Sequence, residues 1–196
     1  MKLTLATGNK DKIEEIRSFF RESIEIISLP PQSEETGATL RENALQKARE
    51  AATRSGGWAL ADDTGLKVAA LNGAPGVYSA RYAGPGATYE ENRKKLLADL
   101  KGVEEVRRGA HFSCVLALCH ADGREVVVEG RLEGVVINEE RGSGGFGYDP
   151  VFWLSDRRCT LAELSLEEKN KISHRGRALS KMKKIIEEIL KIENGK

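Results

Sequence analysis

The sequence predicts an α/β fold: a single domain over residues 1–196 with a central mixed sheet, helices on its faces and a long antiparallel ribbon. Three observations lead to this prediction. In the first sixty residues the apolar positions switch between a period of two, typical of strands, and a period near 3.6, typical of helices. Residues 110–137 are rich in valine and leucine around an Asp-Gly pair, which favours a hairpin. The chain then ends in a long stretch with helical apolar spacing.

The composition narrows the classes of protein. The 196 residues carry 31 Lys and Arg against 30 Asp and Glu, so no general attraction to nucleic acid or to a membrane surface is present. Apolar residues make up 40%, enough for one cooperative core. No run reaches the roughly 18–20 apolar residues of a membrane span, and the first segment is too charged for a signal peptide. We therefore expect a cytoplasmic protein that binds neither nucleic acid nor membrane.

The cysteines and histidines argue against a disulfide framework and a zinc site. Three cysteines are an odd number, and no CxxC pair or cluster of histidine and cysteine occurs. We expect reduced thiols. A hard cation held by carboxylates remains open. No internal repeat or shift of composition divides the chain, so we expect one domain in two lobes, the smaller around residues 66–109.

The first strand, turn and helix contain a candidate anion site. Residues 2–6 alternate as a strand, and the helical spacing begins at Ile13. The turn between them is Thr7-Gly8-Asn9-Lys10-Asp11-Lys12. Glycine allows close approach to the backbone, and the start of the helix offers free N–H groups and the positive end of its dipole. The alternative is a solvated, lysine-rich start of a helix.

Three capping boxes mark the starts of later helices. They are Thr39 with Glu42, Thr88 with Glu91, and Ser165 with Glu168. A strand over residues 24–29 precedes the first helix, and a loop rich in glycine and proline over residues 71–87 precedes the second.

A short apolar strand over residues 58–61 is predicted to end at Asp62 and Asp63. Because neighbouring strand residues face opposite sides, we expect one carboxylate to face a site and the other to cap backbone. The alternative is an aspartate-rich turn without a function.

The segment 141–150 combines four glycines with Phe146 and Tyr148. Ordering so many glycines is costly in backbone entropy. A flexible linker would lack the aromatic residues, whereas a ligand loop uses glycine for close backbone approach and an aromatic ring for stacking. We therefore favour a ligand loop over a linker.

Six blocks occur in order along the chain. They are Thr7-Gly8-Asn9 with Lys12; Glu34-Glu35-Thr36-Gly37 before Glu42-Asn43-Ala44 with Lys47; Asp62-Asp63-Thr64-Gly65-Leu66; Gly76-Val77-Tyr78-Ser79-Ala80-Arg81; Gly145-Phe146-Gly147-Tyr148-Asp149-Pro150; and Glu168-Lys169 followed by Ser173-His174-Arg175. From about residue 3 to 190, the chain resembles the inosine triphosphate pyrophosphatase family. It departs mildly at Thr64, where that family more often has serine.

The resemblance implies hydrolysis of ITP, dITP and XTP to the monophosphate and pyrophosphate, with Mg2+. It also implies a homodimer of elongated subunits whose cleft lies between two lobes. Two rivals are a Maf-like pyrophosphatase, which the last two blocks disfavour, and a module that binds nucleotide or RNA without turnover.

The resemblance also implies roles for particular residues. Asp63 is the general base and a metal ligand, with Glu34 or its neighbour Glu35 as the second carboxylate. The cations on the phosphates are Lys12, Lys47 and Lys169. Phe146 stacks on the base beside Gly147, Tyr148 and Asp149, and His174 or Arg175 donates to its 6-oxo group. The other implied substrate contacts are Thr7, Gly8, Asn9, Lys10, Asp11 and Thr64.

Overall fold

The computed structural model describes residues 2–20, 24–193 and 195. It confirms the predicted α/β class: a seven-stranded mixed sheet has the order β2-β1-β3-β4-β5-β6-β7. The strands are β1 (Lys2–Leu5), β2 (Glu25–Ser28), β3 (Ala59–Val68), β4 (Gly109–Cys119), β5 (Glu125–Val136), β6 (Phe152–Leu154) and β7 (Cys159–Thr160). The helices are α1 (Lys10–Phe20), α2 (Leu40–Ser55), α3 (Tyr89–Asp99), α4 (Leu166–Ile172) and α5 (His174–Glu193).

The chain divides into two compact units. The first comprises Met1–Asp63, Cys114–Gly130 and Arg175–Lys196. The second comprises Thr64–Ser113 and Arg131–His174. The smaller lobe predicted around residues 66–109 falls within the second unit, and its extent as a lobe stays a prediction.

In the first unit, β1 pairs in parallel with both β2 and β3. The helices α1 and α5 bury their apolar stripes on the same core as these strands. That core includes Leu5, Phe20, Leu60, Leu116 and Met182. The parallel strands bring the ends of β1 and β2 to one edge, which is where a ligand site commonly lies in such a sheet.

The second unit has its own core, with members from β3, α3, β4, β5 and β6. Leu66, Leu96, Phe112, Val136 and Phe152 belong to it. The predicted loop 71–87 holds a 3-10 helix over Gly76–Arg81.

The predicted ribbon is confirmed. The amide of His120 donates to the carbonyl of Arg124 at 2.8 Å, and the amide of Val136 donates to the carbonyl of Arg108 at 3.1 Å. The two residue numbers have the same sum in both pairs, as an antiparallel register requires. All three predicted capping boxes form as well.

One predicted boundary is wrong. The strand expected over residues 58–61 continues as β3 to Val68, so Asp62 and Asp63 lie inside a strand and not in a turn. Both carboxylates are buried against basic side chains. Because these partners compensate the charges, the strand can continue through two acidic residues.

In the part of the chain that the structure describes, no helix is long and apolar enough to cross a membrane.

Candidate active site

Asp63 lies at the centre of a buried cluster in the first unit. Lys47 Nζ is 2.9 Å from Asp63 Oδ1 and 2.6 Å from Glu35 Oε1. Asn43 Nδ2 donates to Asp63 Oδ2 at 3.3 Å. Asn43 and Lys47 are four residues apart on α2 and therefore share one face of that helix. Two carboxylates thus share one ammonium group, and an amide fixes the second oxygen of Asp63.

The environment raises the pKa of Asp63 above its ordinary value of 3.8. Burial disfavours its charged form, and the negative charge of Glu35 acts in the same direction, while Lys47 opposes both. Burial also disfavours the charge of Lys47, but Asp63 and Glu35 outweigh it, so the pKa of Lys47 is raised. Lys47 stays a cation, and Asp63 gains affinity for a proton.

Asp62 has different partners from Asp63, as expected for neighbouring residues of a strand. Its side chain is fully buried and pairs with Lys12 Nζ. Arg175 Nε lies 2.9 Å from Asp62 Oδ2, and the thiol of Cys114 lies 3.0 Å from the same oxygen. The aspartate expected to cap backbone therefore has two cations beside its side chain.

Burial disfavours the charged form of Asp62, but Arg175 and Lys12 outweigh this and hold its pKa well below the usual range. Arg175 is itself buried and also pairs with Glu15, which lies on α1. The two carboxylates raise the pKa of Arg175 well above its ordinary value, against the effect of burial. This network keeps Lys12 beside the strand that carries Asp63.

The two glutamates that the sequence left open are placed differently. Glu35 Oε1 contacts Lys47, whereas the side chain of Glu34 is exposed. The carbonyl of Glu34 accepts a hydrogen bond from Gln46 Nε2 at 2.7 Å. Glu35 is thus the carboxylate that joins the cluster around Asp63.

The turn after β1 is ordered by its own side chains. Asn9 Oδ1 accepts from the amides of Asp11 at 3.0 Å and Lys12 at 3.2 Å, which caps the start of α1. The amide of Asn9 donates to Thr7 Oγ1 at 3.1 Å. In the same turn, Gly8 and Lys10 are exposed, and Gly8 lies near Pro30. Thr64, which follows Asp63 in β3, is half-buried.

Three further predicted residues form a cluster in the second unit. Lys169 Nζ lies 2.5 Å from Asp149 Oδ2 and 4.8 Å from the centre of the Phe146 ring. The amide of Phe146 donates to the same oxygen of Asp149 at 2.8 Å. A Cβ on Gly145 would overlap the Asp149 carboxylate, and the φ of +67° at this position also favours glycine. The structure therefore brings the predicted ring, carboxylate and lysine together.

His174 and Arg175 are placed in different units. The ring of His174 stacks on Phe112 with centres 4.5 Å apart and planes 14° apart. All three guanidinium nitrogens of Arg175 contact the carboxylates of Asp62 and Glu15.

The sequence analysis placed Asn43 in a family block without giving it a role, and it missed Glu15 and the ion-pairing role of Asp62. A signal for Asn43 was present, because it lies four residues before Lys47 and one before Ala44 on the buried face of α2. No comparable signal pointed to Glu15, which lies on the same element as Lys12 but contacts a residue 160 positions away.

Among the described residues, no group of three or more histidine, cysteine, aspartate or glutamate side chains could hold a metal ion. Glu35 and Asp63 offer carboxylate oxygens, which hard cations such as Mg2+ prefer. Two protein carboxylates completed by water and phosphate oxygens are a common donor set for that ion. The donor chemistry therefore fits a hard divalent cation.

These features define an α/β protein in which buried carboxylates and lysines form a site suited to phosphate chemistry. The model of the Ham1 family matches residues 3–185. The chain is 50% identical over 192 residues to the dITP/XTP pyrophosphatase of Thermoanaerobacter pseudethanolicus, over 95% of this chain and 96% of that protein. It is 49% identical over 188 residues to the dITP/XTP pyrophosphatase of Geobacter sulfurreducens, over 93% and 94% of the two chains.

A solved structure of a HAM1 protein from Coxiella burnetii matches with a TM-score of 0.87 and 43% identity. The match covers 96% of this chain and 99% of that chain. The chain therefore belongs to the Ham1 family, which confirms the family resemblance found in the sequence.

Proposed function

We propose that the chain is a nucleoside triphosphate pyrophosphatase that removes non-standard purine nucleotides from the nucleotide pool. Its substrates are ITP, dITP and XTP, and its products are the monophosphate and pyrophosphate. The observation that carries the proposal is the buried cluster of Asp63, Lys47 and Glu35 in a member of the Ham1 family. The relatives that bear the name dITP/XTP pyrophosphatase support the choice of substrate.

In the proposed reaction, Asp63 is the general base. It takes a proton from a water molecule as the water oxygen bonds to the α-phosphorus and the bond to the bridging oxygen breaks. A base works best when its pKa approaches the working pH, and burial beside Glu35 raises the pKa of Asp63 in that direction. Asn43 and Lys47 hold one oxygen each of this carboxylate and so fix its orientation.

Three lysines oppose the negative charge of the triphosphate and of the leaving pyrophosphate. Lys47 and Lys12 belong to the first unit, and Lys169 to the second. The start of α1 adds the positive end of its dipole, and the turn 7–11 before it is ordered by the Asn9 cap. Such fixed donors and charges supply much of the stabilisation in phosphoryl transfer.

The proposed cofactor is Mg2+, with Asp63 and Glu35 as its protein ligands. When bound, the ion neutralises phosphate charge and polarises the phosphate oxygens. Lys47 contacts both carboxylates, so its ammonium group holds them close to each other before the ion arrives.

The second unit supplies the proposed base site, with Phe146 as the stacking ring and Gly147, Tyr148 and Asp149 beside it. Thr64 is a further proposed substrate contact. A donor to the 6-oxo group favours hypoxanthine and xanthine, since the 6-amino group of adenine would leave that donor unsatisfied. We assign this donor to His174, because the guanidinium nitrogens of Arg175 are engaged with carboxylates.

The proposal includes a cytoplasmic homodimer, for which family membership is the support. Light scattering measures the oligomeric state, and a monomer at micromolar concentration would contradict this part. The net charge of +1 supports the view that nucleic acid is not a partner.

The first test is pyrophosphate release from ITP, XTP, GTP and ATP at equal concentration, with Mg2+ and then with excess EDTA. We expect rapid turnover of ITP and XTP, little turnover of GTP and ATP, and none with EDTA. Equal rates for all four nucleotides would refute the proposed selectivity. Orthophosphate as the product would refute the bond that is cleaved, and the absence of any turnover would favour a module that only binds nucleotide.

A further inference from the structure

The loop that carries Phe146 is held by a residue outside the six blocks. Arg93 lies on α3, and its Nη1 donates to the carbonyl oxygen of Gly147 at 2.9 Å. Its Nε pairs with Glu140 Oε1 at 2.9 Å. The Arg93 side chain is mostly buried. A guanidinium group that makes two charge-assisted contacts in a fixed planar geometry is well suited to hold a loop in one conformation.

A second residue of α3 contacts the same loop. The ring of Tyr89 lies 5.7 Å from the ring of Phe146, measured between centres. Tyr89 and Arg93 are four residues apart and so share one face of the helix. On this face of α3, Tyr89 contacts the ring of Phe146 and Arg93 contacts the carbonyl of Gly147. The helix therefore contacts two consecutive residues of the loop.

Gly147 is the residue whose backbone most needs such a restraint. Its φ is +63°, and a glycine adopts positive and negative φ almost equally well. Tyr148, the next residue, is anchored because its hydroxyl donates to the carbonyl of Ser79 at 2.8 Å. Phe146 is anchored through its amide and Asp149. The hydrogen bond from Arg93 restrains the flexible peptide between these two anchors.

We propose that Arg93 is a positioning residue for recognition of the nucleobase: it fixes the Gly147 peptide beside the stacking ring. The inference rests on the proposed function of the Phe146 loop. With the peptide fixed, an incoming base meets the Gly147 backbone in one conformation. A base that fits only another conformation of this peptide binds less well. Without Arg93, binding has to order the Gly147 peptide, which weakens affinity and relaxes selectivity.

The test uses the full-length enzyme and three variants. R93M removes both polar contacts but keeps a long apolar stem, and R93K keeps the charge without the planar fork. K94M is the matched control, because Lys94 is on the same helix but exposed and pairs with Glu90. Initial rates with ITP and GTP give KM and kcat, and thermal melting reports whether each variant folds.

For R93M we expect KM for ITP to rise about tenfold, the order that one charged hydrogen bond carries, with kcat within about twofold of the parent. The preference for ITP over GTP falls, R93K is intermediate, and K94M behaves like the parent. An unchanged KM and an unchanged ITP-to-GTP preference in R93M would overturn the inference, as would a loss confined to kcat. If R93M does not fold, R93K decides the question in the same way.

The parent enzyme separates this inference from the proposed function. If the parent releases no pyrophosphate from any nucleotide, the proposed function fails, and with it the inference. If the parent is selective and the Arg93 variants match it in KM and preference, only the inference fails.

Discussion

Replacing Asp63 by asparagine tests the assignment of the general base directly. The amide keeps the size of the side chain and can still accept a hydrogen bond from Lys47, which lies 2.9 Å from Asp63 Oδ1. It cannot take a proton from water. Because general bases contribute roughly 10²–10⁴ in rate, we expect kcat of D63N to fall by about that factor.

The structure also predicts that D63N stays folded. Folding raises the pKa of Asp63, so the ionised form is less favourable in the folded chain than in the unfolded chain. The contribution of this carboxylate to stability therefore falls as pH rises from 3.8 through the raised folded value. A neutral amide removes that unfavourable contribution, but its NH2 group replaces the oxygen that accepts from Asn43 Nδ2. We therefore expect the melting temperature at pH 7 to fall by only a few degrees.

The assay for D63N pairs pyrophosphate release with calorimetric binding of ITP in the presence of Ca2+, which is a hard oxygen-seeking cation like Mg2+. We expect measurable binding with almost no turnover. Turnover above about a tenth of the parent rate would refute the assignment of Asp63, since even the lower limit for a general base is a hundredfold loss.

Three further variants probe the charges around the site. K47M removes the ammonium group shared by two carboxylates and should lower the free energy of unfolding by about 3–5 kcal/mol in urea titrations; a loss below about 1 kcal/mol would contradict the buried pairing. D62N should destabilise the protein at pH 7, but less as pH falls below 3.8, because a carboxylate with a depressed pKa stabilises the fold only when it is ionised. Melting temperatures of the parent and D62N at pH 7 and pH 3 measure this, and a difference between the two proteins that does not change with pH would be evidence against it. In E35Q, the acid limb of the kcat/KM profile should move to lower pH, because the negative charge of Glu35 helps to raise the pKa of Asp63; an unmoved limb in the residual activity would separate the two carboxylates.

Local patterns in the sequence were sufficient for most of the fold. The capping boxes of α2, α3 and α4 involve residues three positions apart, and the register of the hairpin follows from its short turn. The end of β3 was not predictable in this way. Two adjacent aspartates resemble a turn, and only their distant cationic partners allow the strand to continue.

Part of the candidate site could be predicted because the family blocks are local patterns in the sequence. These blocks contain Lys47, Phe146, Asp149 and Lys169, and the structure places these residues in two clusters. The choice between Glu34 and Glu35 lies in a loop without periodicity. It depends on Gln46, which holds the carbonyl of Glu34 from another element. The contact between Arg93 and Gly147 spans 54 positions and has no local signal.

The position of β3 beside β1 decides which of two adjacent aspartates reaches which partner. The amide of Thr4 donates to the carbonyl of Trp58 at 3.0 Å, and the amide of Ala6 donates to that of Leu60 at 2.9 Å. A shift of β3 by one residue would turn Asp62 towards Lys47 and Asp63 towards Arg175, since alternate residues face opposite sides. A single-residue deletion between Gly57 and Asp62 should therefore be more harmful than most substitutions of the same residues, although it removes no group of the site.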